Sequence, residues 1–384
     1  MYRLFCLVLF CSVIAISFAF GKDAERYSLA PPNIRGIRFD PSYHYNLNQS
    51  IPEYVDSLCK IWRNHGVNTV FFKAYDPNFG AVYKTSYQHN RMTDYGNKDF
   101  MDVFLKTAHR YSISFIVWLP VLEHKGAWEN CKEWRIKNRN GTDLMPFPDR
   151  HFLCARQPEM QEWWLGFIKD ILIHYPAIDG IDFAEPAIVW KDRITCDCAT
   201  CKRELGAAGF SPSAIDKRSR GFADLIERSC RLVHSRNKKA CVTLIPTADQ
   251  EGNLLPLSEQ KIITGLDIDR LLDSSMRPDW ISCEILWQQW ANTYHDPLTF
   301  KPNWTQRAAM QARRLIAERA SLIAHVELSS LDAVSVHSAE FFAAMTAAAK
   351  GGAQSIEFYD AHLADAMKIW EGLSPLWPMH LPGN

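Results

Sequence analysis

This chain of 384 residues has no surplus of charge of either sign, since 43 Lys and Arg stand against 43 Asp and Glu. Such a balance gives no electrostatic footprint for a phosphate backbone or an anionic lipid surface, so nucleic acid is not an expected partner. Signatures of several catalytic classes are missing too. No Gly-rich phosphate turn follows the first predicted strand, and neither a nucleophile elbow nor a His-Glu-x-x-His helix occurs, which argues against kinase, esterase and metalloprotease chemistry. The histidines, among them His124, His325 and His362, lack the Asp-His-His spacing of a metal-dependent deacetylase. Long apolar runs are scarce: there is one, Leu4–Phe20, with Arg3 ahead of it and the polar segment Lys22–Arg26 behind. It reads as a signal peptide over 1–21, followed by a linker over 22–33, with an uncleaved anchor as the alternative. No stable membrane span is expected after cleavage, and a secreted or periplasmic location is. Phe10 before Cys11 is too bulky for a lipoprotein signal. Of eleven cysteines, Cys6 and Cys11 would leave with the signal, and the remaining nine are an odd number, which excludes a fully paired disulfide set in a monomer. Three glycosylation sequons, at Asn48, Asn140 and Asn303, carry weight only in a eukaryotic host.

A hydrophobic fraction of 47% suffices for a large core, and residues 34–384 read as one domain. Short β-branched or aromatic runs at 34–40, 69–75, 114–121, 178–185, 240–246, 280–286, 322–329 and 355–360 alternate with amphipathic stretches at 51–65, 99–111, 158–174, 213–237, 305–320 and 338–349. Weaker helical patterns occupy 266–274 and 361–372, and Asn97, Ser211 and Asn303 are candidate caps. Eight strands close a (β/α)8 TIM barrel, with an open doubly wound sheet as the fallback. The long connections, 76–98, 122–157, 186–212, 247–265 and 287–304, all follow strands, which is where such a barrel builds its active-site face.

Side chains alternate across a strand, and the polar set of each predicted strand places Arg38, Asp40, Lys73, Tyr75, Trp118, Asp182, Thr243, Ser282, Glu284, His325, Glu327, Ser329, Glu357 and Tyr359 inside the barrel. A purely structural barrel fills that space with Val, Ile and Leu. So many buried polar groups indicate either a site or a network of structural ion pairs. Ile178–Pro186, IDGIDFAEP, ends its strand in Glu185, which is the first catalytic candidate; the alternative is an acid that caps the turn before Pro186. Two carboxyls flanking a sugar suffice for glycosidic hydrolysis, and Glu185, Glu284, Glu327, Glu357 and Asp360 are available. The expected pair is Glu185 as general acid/base and Glu327 as nucleophile, with Glu284 and then Asp360 as rivals. Loop aromatics such as Trp190 and Trp287 are candidate platforms for sugar faces. Asp40, Lys73, Tyr75, Trp118, Asp182, Trp190, Trp287, His325, Tyr359 and Asp360 form the expected substrate-binding set.

Trp118-Leu-Pro-Val, Asp179-Gly-Ile-Asp-Phe-Ala-Glu-Pro and His325-Val-Glu-Leu resemble TIM-barrel glycosidases of the family-10-like and hypothetical glycosyl hydrolase groups. They also resemble, more distantly, the glycoside hydrolase domain of bacterial poly-N-acetylglucosamine export proteins. In those relatives the fourth strand reads DGI-x-F-D-D, and the corresponding positions here are Ala184 and Glu185. The spacing Cys196-x-Cys198-x-x-Cys201 resembles the zinc loop of family 42 β-galactosidases. That resemblance implies a structural zinc ion with a fourth cysteine from an earlier loop, Cys131 or Cys154, and a general acid/base at Glu185. Disulfides among these cysteines are the alternative. The implied activity is hydrolysis of an oligo- or polysaccharide, against a non-catalytic carbohydrate-binding barrel or a deacetylase.

Overall fold

In a computed structural model that describes residues 33–43, 50–146, 149–187, 196–206, 211–317, 319–328 and 337–377, eight parallel strands form a closed barrel. They are β1 (Arg35–Phe39), β2 (Thr69–Lys73), β3 (Ser114–Pro120), β4 (Gly180–Ala184), β5 (Lys239–Leu244), β6 (Trp280–Ile285), β7 (Ser321–Glu327) and β8 (Ser355–Tyr359). Each pairs with its neighbours in sequence, and β1 closes the ring on β8 with Gly36 opposite Glu357. A side chain at position 36 would collide there, because its Cβ would lie 2.9 Å from the Cβ of Glu357. The predicted (β/α)8 TIM barrel is the observed fold.

The surrounding helices include α1 (Ile51–Asn64), α2 (Phe100–Arg110), α3 (Pro158–His174), α4 (Pro212–His234), α5 (Ile268–Asp273), α6 (Trp304–Ile316) and α7 (Ser338–Lys350). Their apolar stripes cover the outside of the strands, and Trp62, Phe104, Phe167, Phe222 and Phe341 are buried there. Ser211 caps α4 by accepting from the Ala214 amide, as its type and position predict. Asn97 instead ends a short helix, and the residue before α2 is Asp99 in the left-handed region.

Inside, the barrel is layered. Ile34, Phe71, Ile116, Cys241, Trp280 and Ile323 form an apolar floor at the N-terminal ends of the strands. Arg38, Asp182, Thr243, Ser282, His325 and Glu357 fill the middle and are buried. The C-terminal mouth carries Asp40, Lys73, Trp118, Glu185, Glu284, Glu327 and Tyr359. No described helix is long and apolar enough to cross a membrane.

Candidate active site

The middle layer is organised by one cation. Arg38 donates from Nη2 to Glu357 Oε1 at 2.8 Å and to Thr243 Oγ1 at 2.6 Å, and it pairs with Asp182 Oδ2 at 3.0 Å. The Thr243 hydroxyl passes its own hydrogen to Asp182, 2.8 Å from Oδ1. Ser282 donates to Glu357, and His325 Nδ1 lies 3.5 Å from the same carboxylate oxygen. Burial alone would raise the Glu357 pKa, but Arg38, His325 and Ser282 outweigh it and hold the carboxyl down to about 2. At Asp182 burial wins over Arg38 and the pKa is raised. Arg38 also lies 5.0 Å from the ring centroids of both Phe71 and Trp118, between the floor and the mouth.

Above this layer Lys73 Nζ bridges Asp40 and Asp76, 2.7 Å from each. Next to it a cavity of about 250 Å3 is lined by Lys73, Asn78, Trp118, Glu123, Arg150 and Glu185. Two buried atoms of its lining, Trp118 Nε1 and Asn78 Oδ1, have no hydrogen-bond partner among the described residues. Trp118 is packed edge-on against Tyr359 at 5.9 Å. A larger cavity of about 660 Å3, lined by His234, Asp279 and Arg319, lies at the opposite, N-terminal end of the strands and is remote from these acids.

Glu185, Glu284 and Glu327, at the same mouth, have different surroundings. Glu185 follows β4 in the left-handed backbone region, with φ of 52°, a conformation that non-glycine residues hold only when their surroundings impose it. Its amide donates to Thr243 O at 2.9 Å, and its side chain, 30% exposed, lies 4.0 Å from Arg150, which is clamped on Glu123. Burial and the Glu123 charge raise its pKa against the opposing pull of Arg150. Glu284, on β6 beside His325 in register, is raised well above the usual carboxylate range by burial and then by the Glu185 charge. Glu327, the last residue of β7, accepts the Gln288 amide at 2.7 Å at the start of the helix Trp287–Tyr294.

The other expected site residues divide. Asp40, Lys73, Trp118, Asp182, His325 and Tyr359 lie within the barrel or at its mouth. Tyr75 does not: β2 ends at Lys73, and Tyr75 begins a two-stranded hairpin with Gly80–Ala81 that turns it outward. There it stacks on His124 and meets Phe167 of α3. Trp287 is buried in the outer apolar layer. Asp360 is buried and caps the helix Ala361–Ala366 by accepting the Leu363 amide. Trp190 and Ser329 lie outside the described residues. Asp76, Asn78, Glu123, Arg150 and Gln288 escaped the sequence reading because they sit in connections, where no periodicity marks a facing side; the pair Asp76 and Asn78 ahead of Gly80 was the one local turn signal.

Cys154, Cys196, Cys198 and Cys201 are all buried, with sulfurs within 4.8 Å of one another, and this cluster could hold a metal ion. Cys154 Sγ lies 3.6 Å from Cys201 Sγ and 3.7 Å from Cys198 Sγ, and all four are free thiols. Of the two expected fourth ligands, Cys154 is the one present; Cys131 stands apart, 3.4 Å from His89 Nε2.

No family model matches the chain, and no curated protein matches it in sequence. Solved structures do match in fold. The PgaB (BpsB) glycoside hydrolase domain from Bordetella bronchiseptica has a TM-score of 0.67 at 16% identity, over 92% of this chain and 100% of that one. Alpha-L-fucosidase isoenzyme 2 from Paenibacillus thiaminolyticus gives 0.60 at 16% identity, over 90% of this chain and 48% of its own. A beta-galactosidase from the haloarchaeon Halorubrum lacusprofundi gives 0.59 at 10% identity, over 85% of this chain and 52% of its own. This chain thus spans about half the length of the fucosidase and the galactosidase, and what it has in common with all three is the TIM-barrel fold.

Proposed function

We propose that this protein is a secreted or periplasmic glycoside hydrolase that cleaves an oligo- or polysaccharide with retention, using Glu185 as general acid/base and Glu327 as nucleophile. The carrying observation is that the carboxyls at one barrel mouth sit in unlike environments. Glycosidic hydrolysis needs one acid that keeps its proton and one that has lost it. Glu185, raised by burial, suits the first role. Glu327 suits the second, because a backbone N–H at a helix start favours the ionised carboxylate. Glu284, which burial and the Glu185 charge push well above the usual carboxylate range, is less suited to act as the nucleophile. The Glu185 proton goes to the glycosidic oxygen as Glu327 attacks the anomeric carbon and the C–O bond breaks. Glu185, now ionised, then takes a proton from the water that cleaves the glycosyl ester. Trp118 Nε1 and Asn78 Oδ1 supply a donor and an acceptor to sugar hydroxyls at the cavity wall. The solved structures of like fold are named as glycosidases, which accords with this reading.

The cysteine cluster is read as a structural zinc site. Four thiolates about 2.3 Å from zinc in a tetrahedron lie about 3.8 Å apart, close to the 3.6 and 3.7 Å found, whereas a disulfide needs about 2.05 Å. With all positions taken by sulfur, such an ion would brace the loops and leave catalysis to the carboxyls.

A panel of labelled glycans tests the function. Glu185→Gln should lower turnover of the accepted glycan about 100- to 10,000-fold. Wild-type kcat/KM should fall as pH rises through the elevated Glu185 pKa, a limb that the variant loses. Near-normal turnover by Glu327→Ala would move the nucleophile to Glu284, and no cleavage of any glycan would refute the enzyme.

A further inference from the structure

A second cavity, of about 460 Å3, adjoins the one at Glu185 and has Lys73 and Asp76 as common wall, with Asp40, Phe79, Met92 and Asp94 around the rest. Its size falls within the range of about 300–1,000 Å3 typical of small-molecule sites. On its rim stands Phe79, 68% exposed, with Met92 at 43%. The backbone at Phe79 is held in place. Asp76 Oδ1 accepts the amides of both Asn78 and Phe79, at 2.9 and 3.0 Å, and its other oxygen is held by Lys73. The hairpin then closes through Gly80, with φ of 114°, where a Cβ would lie 2.2 Å from Arg91 O. A large apolar ring, mostly exposed, thus stands on a backbone that the turn holds in place, and much of its surface is free to meet a ligand.

We propose that this cavity is a second sugar subsite, with Phe79 as the stacking platform for a ring of the same glycan chain that Glu185 cleaves. The inference rests on the glycosidase reading above and adds to it that the substrate occupies at least two adjacent pockets across the Lys73 saddle. Asp40, Asp76 and Asp94 against Lys73 leave the pocket net negative. The ring it takes is therefore uncharged or amino-bearing, and uronic acid, sulfated or phosphorylated rings are repelled.

Phe79→Ala and Phe79→Trp will both fold, since the ring is exposed, and circular dichroism checks this. Titration calorimetry is run on Glu185→Gln protein, alone and with each Phe79 change, against cello-, manno-, xylo-, chito- and galacturono-oligosaccharides of two and four rings; wild-type protein and the single Phe79→Ala variant are assayed for cleavage of the same set. We expect a neutral or amino-sugar tetrasaccharide whose binding weakens about 3- to 10-fold in Phe79→Ala and is restored in Phe79→Trp. Its disaccharide, which reaches the second pocket with one ring at most, should respond less. A tetrasaccharide that is bound or cleaved with no response to Phe79→Ala overturns the subsite and leaves the glycosidase standing. Phe79-dependent binding of tetragalacturonate overturns the charge assignment, and absence of any binding or cleavage overturns both readings.

Discussion

Arg38 decides whether the polar barrel interior is tolerable. It is about 1% exposed and faces Asp182 and Glu357, themselves fully buried. Buried ion pairs gain little net stability over an apolar filling, but removing one member strands the others in a low dielectric. Arg38→Met should therefore cost about 3–5 kcal/mol in urea unfolding. Glu357→Gln alone should cost less, because the amide retains the hydrogen bond from Ser282; equal losses would show that the charge, and not the retained hydrogen bond, carries the interaction. Most of this network was legible from alternation, since a period of two sends Arg38, Asp182, Ser282, Glu284, His325 and Glu357 to one side of their strands. The same rule misplaced Tyr75 because it assumes the strand goes on. Residues 69–75 read as one β-branched and aromatic run, yet the chain leaves the sheet after Lys73 and the parity is lost. Nor does alternation reveal protonation. That Glu327 meets an amide whereas Glu284 meets other carboxyls depends on the helix after β6, and no local pattern announces it.

At the scale of elements, the barrel floor repeats a staple. Asp179, just before β4, accepts the Phe115 amide of β3 at 2.7 Å and lies 2.9 Å from His109 in the last turn of α2. Asp279, just before β6, accepts the Ala240 amide of β5 at 2.9 Å and lies 2.9 Å from His234, the last residue of α4. Asn68, before β2, accepts the Arg35 amide at 2.8 Å in the same way. Each staple fixes the register of two strands and, in the two acidic cases, the end of the preceding helix. Burial would raise the Asp279 pKa, but His234, Lys239 and the Ala240 amide overcome it and bring the carboxyl down to about 2. A folded pKa below the unfolded one gives stability that is present above about pH 4 and is lost as pH falls toward 2. Asp279→Asn should accordingly be less stable than wild type at neutral pH, by roughly 1–2 kcal/mol for this partly exposed group. The gap should close between about pH 4 and pH 2. A gap that persists undiminished at pH 2 would mean that the staple acts through packing instead of charge. The strands that it joins were readable as β-branched runs; the staple was not, because its members are up to 70 residues apart.

Across the whole molecule, the cysteine cluster ties together the connections that follow β3 and β4. Cys154 comes from the first and Cys196, Cys198 and Cys201 from the second, with Asp197 N donating to Lys137 O at 2.8 Å and Thr200 Oγ1 to Gln157 Oε1 at 2.9 Å across the same seam. These two connections also carry Arg150 and Glu185, so bracing them fixes the distance between the acid and its guanidinium neighbour. The spacing of the last three cysteines was plain in the sequence, but the choice between Cys131 and Cys154 was not, since both lie in one long connection and only the folded path of that connection separates them. If zinc fills the cluster, the purified protein should contain about one zinc per chain, and its removal by a chelator should be accompanied by uptake of protons as the four thiolates become thiols. The barrel itself, built on its own apolar core, should keep its far-ultraviolet dichroism after chelation. Turnover should drop and melting should shift downward, because the seam next to Glu185 loosens. Cys154→Ser should reproduce both effects without chelator, whereas Cys131→Ser should leave zinc content and melting unchanged. Protein that carries no zinc and yields peptides disulfide-linked through Cys154, Cys196, Cys198 or Cys201 in mass spectrometry would replace the metal with covalent bridges.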